Sequence, residues 1–269
     1  MTRHIHKTFT GLSAALASIS ILLTINIYSV NPQPVTFRAA PGGQVITNRL
    51  LLSLSDAAFN LFERQLEHAT VPTGTVLKDG EQFPERSWFP DSGVVSLVVT
   101  TERGASAQVG LVGNEGMTNA SFAVGLRRTL LTEVVQHPVT GWNIDFNALQ
   151  KLLQSSTEIQ RVLSRYLMVQ TTHIAQIAAC NRLHTAEERM ARWLLMTADR
   201  AKSNFVIATQ DWLTSLLGVA RQSVSRVARS LQRERAIRYR RSRIEILDRG
   251  RLERAACECY RTLSEWDLE

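Results

Sequence analysis

In the stretch Ala220 to Leu231, ARQSVSRVARSL, the side chains of Arg221, Gln222, Ser225, Arg226 and Arg229 fall on one face of a helix, and Val224, Val227, Ala228 and Leu231 on the other. The first set has the chemistry to read nucleic acid. A guanidinium can reach guanine O6 and N7 together, a carboxamide can reach adenine N6 and N7, and a serine hydroxyl can serve either base. Nine arginines lie between Arg221 and Arg243, and Glu234 is the single acid among them. A helix that is merely solvated mixes charge signs, whereas this segment is almost uniformly positive, and arginine's planar fork suits phosphate and guanine.

Two elements must position this face. Thr209 is a helix N-cap ahead of the helix-spaced Trp212, Leu213, Leu216 and Leu217, and Gly218 closes the turn before the second helix. Two helices joined by a short glycine-containing turn form a helix-turn-helix unit whose second helix carries the reading set. Downstream, Ile237 to Tyr239 and Ile244 to Leu247 alternate around Arg240-Arg241-Ser242-Arg243, which predicts a hairpin wing with a basic tip. Phosphate contact is expected of Arg229, Arg240, Arg241 and Arg243, and double-stranded DNA is the expected partner.

RQSVSRVARSLQ resembles the recognition helix of the Crp/Fnr superfamily of bacterial transcription regulators, whose motif is Arg-(Glu/Gln)-(Thr/Ser)-(Val/Ile)-x-Arg. The resemblance covers Asn48 to Asp248. It implies a cyclic-nucleotide-binding-like β-roll, a long dimer helix and a winged helix, with base reading at Arg221, Gln222 and Arg226, phosphate contact at Thr209, and RNA polymerase as a further partner. Two positions depart from the pattern. Gln222 stands where many members have Glu, and Ala220 stands where a capping Ser is frequent, which weakens entry to the recognition helix.

The rest of the chain reads as α+β. Ser55-Asp56 marks a helix start before Phe59, Phe62 and Leu66. Short β-rich runs follow at Thr75 to Leu77, Ser87 to Phe89, Val94 to Thr100, Ala107 to Val112 and Leu130 to Gln136, separated by glycines, as in an antiparallel, jelly-roll-like β-roll. A helix is predicted from about Ser155 to Ala179, with Ile159, Val162, Leu163, Tyr166, Val169, Ile174 and Ile177 on one face and Gln170 and His173 in the same stripe. So long a stripe asks for a partner helix, most simply from a second copy of the chain, with Ile159, Tyr166 and Ile177 in the seam; packing inside its own domain is the alternative. The expected divisions are a leader over 1–44, the β-roll over 45–150, the dimer helix over 151–182 and the winged helix-turn-helix over 183–269.

The sensor end is less well defined. Cyclic-nucleotide binders of the resembled family use a Gly-Glu pair for ribose and a following Arg-Ser/Thr pair for phosphate. Here Gly113-Asn114-Glu115 has an interposed Asn and Arg128-Thr129 lies further along, so Glu115, Arg128 and Thr129 are the candidate effector residues, but a turn glutamate and a surface arginine suit the spacing better. The effector is left unassigned, and cyclic nucleotide is not the favoured one. An iron–sulfur cluster is not expected, because the roll has no cysteine. Cys257-x-Cys259 reads as an incidental helical pair, since no second pair or nearby His in the sequence completes a metal set. A cupin-like metal enzyme is the reading of another class, but only His137 falls near a predicted strand of the roll, and no nucleophile elbow or phosphate loop occurs. No catalytic residue is assigned.

Charge and cysteine use agree with a DNA-binding third. Residues 181–269 carry 18 Lys/Arg against 12 Asp/Glu and residues 1–180 carry 13 against 12, so six of the seven net positive charges lie at the carboxy-terminal end. Three cysteines are too few for a disulfide scaffold, which points to a reducing, cytoplasmic setting. The leader leaves two readings open. Residues 11–30 are uncharged and about as long as a single span, which would tether the regulator to a membrane, or translation starts near Val45 and residues 1–44 are not part of the working protein.

Overall fold

The computed structural model describes residues 37–40 and 43–266. The candidate membrane segment, residues 11–30, lies outside them, and no helix among the described residues is long and apolar enough to cross a membrane. The end of the expected leader belongs to the folded body. Arg38–Ala39 (β1) pairs with Val45–Ile46 (β2), and the Arg38 guanidinium donates to the Leu54 carbonyl at 2.6 Å and lies over the Phe59 ring at 4.3 Å.

Two short helices follow, Arg49–Leu52 (α1) and Asp56–Glu63 (α2), capped by Asn48 and Ser55. Ser55 is the start the sequence predicts. Asn48 is fully buried and does more than cap, since its amide also donates to the carbonyls of Pro90 and Gly116 at 2.8 and 2.9 Å. The roll is antiparallel throughout, with strands Glu67–Val71 (β3), Val76–Lys78 (β4), Arg86–Thr100 (β5), Ser106–Val112 (β6) and Leu131–Asp145 (β7) in the order β3-β7-β5-β6 and β4 also on β7. Two expected strands, Ser87 to Phe89 and Val94 to Thr100, are one 15-residue strand, and β7 runs nine residues past the expected Gln136. Both continue through Gly and Pro because they bend at a bulge. Gly93 (φ +95°) lies so close to Pro138 that an added Cβ would stand 2.1 Å from its carbonyl oxygen, and proline, with no N–H to pair, is tolerated at such an irregularity. β3 carries the polar sequence EHATV and pairs only with β7, so it offers no apolar alternation to read.

Phe146–Ser155 (α3) caps on Asp145, and the chain breaks at Ser156 before the 27-residue helix Thr157–Leu183 (α4). Its buried residues, Ile159, Leu163, Tyr166, Gln170, His173, Ile177 and Cys180, repeat at alternating spacings of four and three. This corrects the expected dimer seam. The stripe is covered within its own chain, by the roll, by the 3-10 turn Ala120–Val124 and by the carboxy-terminal helices. Tyr166 fits because Gly116 has no side chain, a Cβ there standing 2.0 Å from the ring. The face of α4 left in solvent carries Arg161, Met168, Thr171, Ala175, Ala178 and Arg182.

The remaining elements surround Ala186–Ala201 (α5), which opens on a capping box between Thr185 and Glu188 and is buried along most of its length. They are Phe205–Ile207 (β8), Gln210–Leu217 (α6), Arg221–Arg233 (α7), Ile237–Arg240 (β9), Arg243–Ile246 (β10), Arg249–Ala255 (α8) and Cys259–Trp266 (α9). Their core, with Trp193, Leu194, Leu213, Val224, Leu231 and Ile244 at its centre, extends to Val94 and Leu111 of the roll. Cys257 is in the link between α8 and α9, so the Cys257-x-Cys259 pair is not helical, and Cys180 and His184 lie against it.

Two buried ionisable groups oppose each other in their effect on stability. Glu133, opposite Lys78 in the β4–β7 register, accepts from the Asn119 N–H at 2.8 Å, and burial pushes its carboxyl up to about 7. Its stabilising contribution is complete below the unfolded value and is lost as pH rises through about 7. His173 is shifted the other way, to about 4, by burial and by Arg200, so its contribution is complete above the unfolded value and is lost as pH falls through about 4. Glu133→Gln keeps an acceptor for Asn119 and has nothing to ionise. Thermal melts between pH 5 and 8 should show the variant gaining on the wild type as pH rises, by up to about 3 kcal/mol. Parallel profiles would place the loss on another group.

Candidate nucleic-acid interface

The helix expected to read DNA, α7, is held by its apolar side. Val224, Val227, Ala228 and Leu231 of α7 are buried against α5 and α6, which turns Arg221, Gln222, Arg226, Arg229 and Arg233 to solvent. Thr209 Oγ accepts from the Trp212 N–H at 3.1 Å, and Gly218 (φ +59°) ends α6, as the sequence predicts. At Ala220 no side chain caps α7, so its first N–H groups are left for an anion or water.

The wing also forms. β9 and β10 pair in the register Arg243↔Arg240, with β8 completing a three-stranded sheet on the far side of β10. Arg241 and Ser242 both have positive φ, 46° and 67°, the geometry whose twist matches a two-residue hairpin. Glycine or asparagine would adopt it at lower cost, so these two residues hold a conformation that L side chains disfavour, at the tip where charge is exposed.

Tertiary structure places Thr209, Arg221, Arg226, Arg229 and Arg241 of the predicted residues on two concave surfaces, while Gln222, Ser225, Arg240 and Arg243 line neither. The first, about 450 Å³, is lined by Thr209, Gln210, Asp211, Arg221, Tyr239 and Arg241 among others, so it joins the start of α6, the start of α7 and the wing tip. Arg221 is pre-oriented there, its Nε donating to Gln210 Oε1 at 2.9 Å, with Asp211 Oδ1 3.5 Å from Nη1. The second, about 560 Å³, is a groove between Arg226, Arg229, Gln232 and Arg233. Gln222 and Arg226 have no side-chain partner among the described residues and are exposed. Ser225 is half-buried, its hydroxyl 3.5 Å from Gln210 Nε2, and Arg229 Nε donates to the Ser225 carbonyl at 3.1 Å. On the wing, Arg240 and Arg241 are exposed, while Arg243 lies over the Phe205 ring at 3.8 Å. Gln210, Asp211 and Tyr239 escaped the sequence reading. Their one local signal is that Gln210 and Asp211 open α6; their proximity to Arg221 arises only when the helices cross.

The sensor candidates separate. Glu115 is 6% exposed and its Oε1 accepts from Arg200 Nε of α5 at 2.8 Å and from the Gly113 N–H at 3.0 Å. Gly113 is required for this approach, because a Cβ there would stand 2.6 Å from Arg200 Cγ. Glu115 also borders a cavity of about 260 Å³ whose cations are Arg49, Arg161 and Arg165. Arg128 is elsewhere, paired with Glu81, and the Thr129 hydroxyl accepts from Lys78 Nζ at 3.0 Å. In the roll, no three His, Cys, Asp or Glu side chains among the described residues bring ligand atoms close enough to share a metal.

Residues 188–255 match the Crp-like helix-turn-helix domain. Among solved structures, the chain is similar to a transcriptional regulator assigned to the Crp/Fnr family from Eubacterium rectale (TM-score 0.60, 19% identity, 77% of this chain and 96% of that one). It is also similar to the c-di-GMP-responsive global regulator CLP of Xanthomonas campestris (0.58, 15%, 72% and 100%) and to a CRP-family transcriptional regulator from Thermus thermophilus (0.58, 18%, 70% and 96%). No curated protein matches. The antiparallel roll with a carboxy-terminal helix-turn-helix is therefore the fold of Crp/Fnr structures.

The Glu115–Arg200 pair gives a direct test of how roll and helix-turn-helix are joined. Arg200→Met leaves a buried carboxylate alone and should cost about 3–5 kcal/mol, and pairing it with Glu115→Gln should recover much of that loss. Chemical denaturation of the single and double variants measures it; strictly additive losses would mean the two charges do not interact.

Proposed function

We propose that this chain, which carries a Crp-like helix-turn-helix domain on a Crp/Fnr fold, is a cytoplasmic, homodimeric regulator of transcription that reads a specific DNA sequence. The observation that carries the reading is the exposed face of α7. Gln222 and Arg226 are unengaged there, Arg221 is held in place by Gln210, and the positive wing tip stands beside them. In this reading Arg221, Gln222 and Arg226 contact base edges, with Ser225 behind them. Thr209, Arg229, Arg240, Arg241 and Arg243 meet phosphates, and Ala220 leaves free N–H groups where a phosphate would sit.

Two further parts complete the proposal. The dimer forms through the solvent face of α4, where Met168 is 63% exposed and Ala175 and Ala178 permit close approach of a second helix. The roll senses an effector and transmits its state through Glu115, since a ligand that moved this residue would shift its bond to Arg200 at the base of the DNA-binding domain. RNA polymerase is the partner such a regulator would recruit or obstruct.

Selection of bound sequences tests the reading. Arg226→Ala should cost about 1–3 kcal/mol on the preferred site and relax one base-pair position. Arg241→Ala should weaken preferred and random DNA equally and lower the salt slope by about one. Gln222→Glu should change the preferred base, because a carboxylate accepts from cytosine N4 whereas the amide serves adenine; identical motifs from both proteins would remove Gln222 from the reading set. Sedimentation of Met168→Glu should show monomer in place of dimer. An unchanged mass would move the interface off this face of α4.

A further inference from the structure

Four side chains that DNA binding does not use converge where the end of α4 meets the link between α8 and α9. Cys180 is in the last turn of α4, His184 is its C-cap, Cys257 precedes α9 and Cys259 begins it. The cysteines are buried and free, and the His184 side chain is 16% exposed. Three sulfurs and one imidazole nitrogen lie within 4.8 Å of one another. Cys180 Sγ is 3.5 Å from Cys257 Sγ, and Cys259 Sγ is 3.7 Å from His184 Nδ1. A tetrahedral zinc ion, with bonds of about 2.3 Å to sulfur and about 2.0 Å to nitrogen, keeps its ligands about 3.5–3.8 Å apart. A multi-iron cluster spreads its thiolates over separate irons and needs a wider set.

The surroundings are those of a built site. His184 Nε2 is 3.1 Å from the Glu258 carboxylate, so the ring proton belongs on that nitrogen and the Nδ1 lone pair faces the sulfurs. Gln176 Nε2 donates to Cys259 Sγ at 3.1 Å, a bond that favours a thiolate. Arg189 and Arg192 of α5 are buried, neither has a carboxylate partner among the described residues, and the Nε of each lacks an acceptor. Both lie within electrostatic reach of Cys180. Three thiolates and a neutral imidazole around a dication carry one net negative charge, which is what buried guanidinium groups require beside them.

We propose that Cys180, His184, Cys257 and Cys259 bind one divalent cation of the zinc class, which fastens the carboxy-terminal helices to the end of the long helix. Thiolate and imidazole donors select against magnesium and calcium. The ion joins residues 77 positions apart across the α4–α5 junction, so it stiffens the hinge between the roll's helix and the DNA-binding domain.

The test uses the full chain purified under reducing conditions. Elemental analysis should find about one zinc per chain, and exchange with Co²⁺ alone should give the visible bands and thiolate charge transfer of a tetrahedral site. Cys259→Ser should abolish that spectrum, and Glu258→Gln should keep one-to-one binding but weaken zinc about 10- to 100-fold against a chromogenic chelator. The wild-type cobalt spectrum is decisive even where a cysteine variant fails to fold. Reduced wild-type protein that takes up neither ion would overturn the proposal, as would an unchanged spectrum from Cys259→Ser. A Cys180–Cys257 disulfide whose reduction still yields no metal uptake would do the same.

Discussion

The ion pair between Glu115 and Arg200 is the constraint around which the molecule is arranged. Each side chain is about 5% exposed, and withdrawing each charge from water costs several kcal/mol that only a close, well-oriented contact offsets. The roll and α5 therefore have one placement in which the charges are satisfied. Gly113 is bare because the Arg200 stem lies on it, and Gly116 is bare because Tyr166 of α4 does. The four-residue turn Gly113 to Gly116 thus touches both the long helix and the DNA-binding domain. A turn resembling a nucleotide-binding element serves here as the junction of three parts.

With that junction set, the two faces of α4 acquire different roles. Its inner stripe repeats every three and four residues, the spacing of a helix that packs along one line, and the roll and the carboxy-terminal helices already occupy that line. What is left outward is small or polar apart from Met168 and, at the helix end, Leu183. The buried His173 of the inner stripe lies close to Arg200, and Gln170, one turn away, donates to the Tyr166 hydroxyl, so both polar groups of the stripe meet partners within the chain.

The winged helix-turn-helix concentrates the cost of function at its rim. An uncapped helix start at Ala220, positive φ at Arg241 and Ser242, and a row of arginines with few acids nearby each disfavour the folded state or leave it unsatisfied. The core beneath, from Trp193 to Leu231, is apolar and well buried. Stability from the interior offsets strain and like-charge repulsion at the surface, which is the expected division for a site that gains its missing partners from an anionic polymer.

The sequence alone determined whatever rests on short spacing. Thr209, Gly218, the apolar face of α7 and the basic hairpin tip all lie within a few residues of what they act on, so helix periodicity and capping chemistry expose them. The same holds for Ser55 and for the β-rich runs of the roll. It misjudged features in which backbone crosses backbone: the continuous β5 and β7, where Gly93 and Pro138 mark a bulge instead of a turn, and the polar edge strand β3. Only the tertiary structure decided which surface covers the α4 stripe, that Glu115 faces Arg200 and not Arg128, and that Cys180 and His184 stand beside Cys257 and Cys259. Each of these depends on groups far apart in the chain, whose meeting is set by how the roll and the helices pack, and no local pattern records that distance.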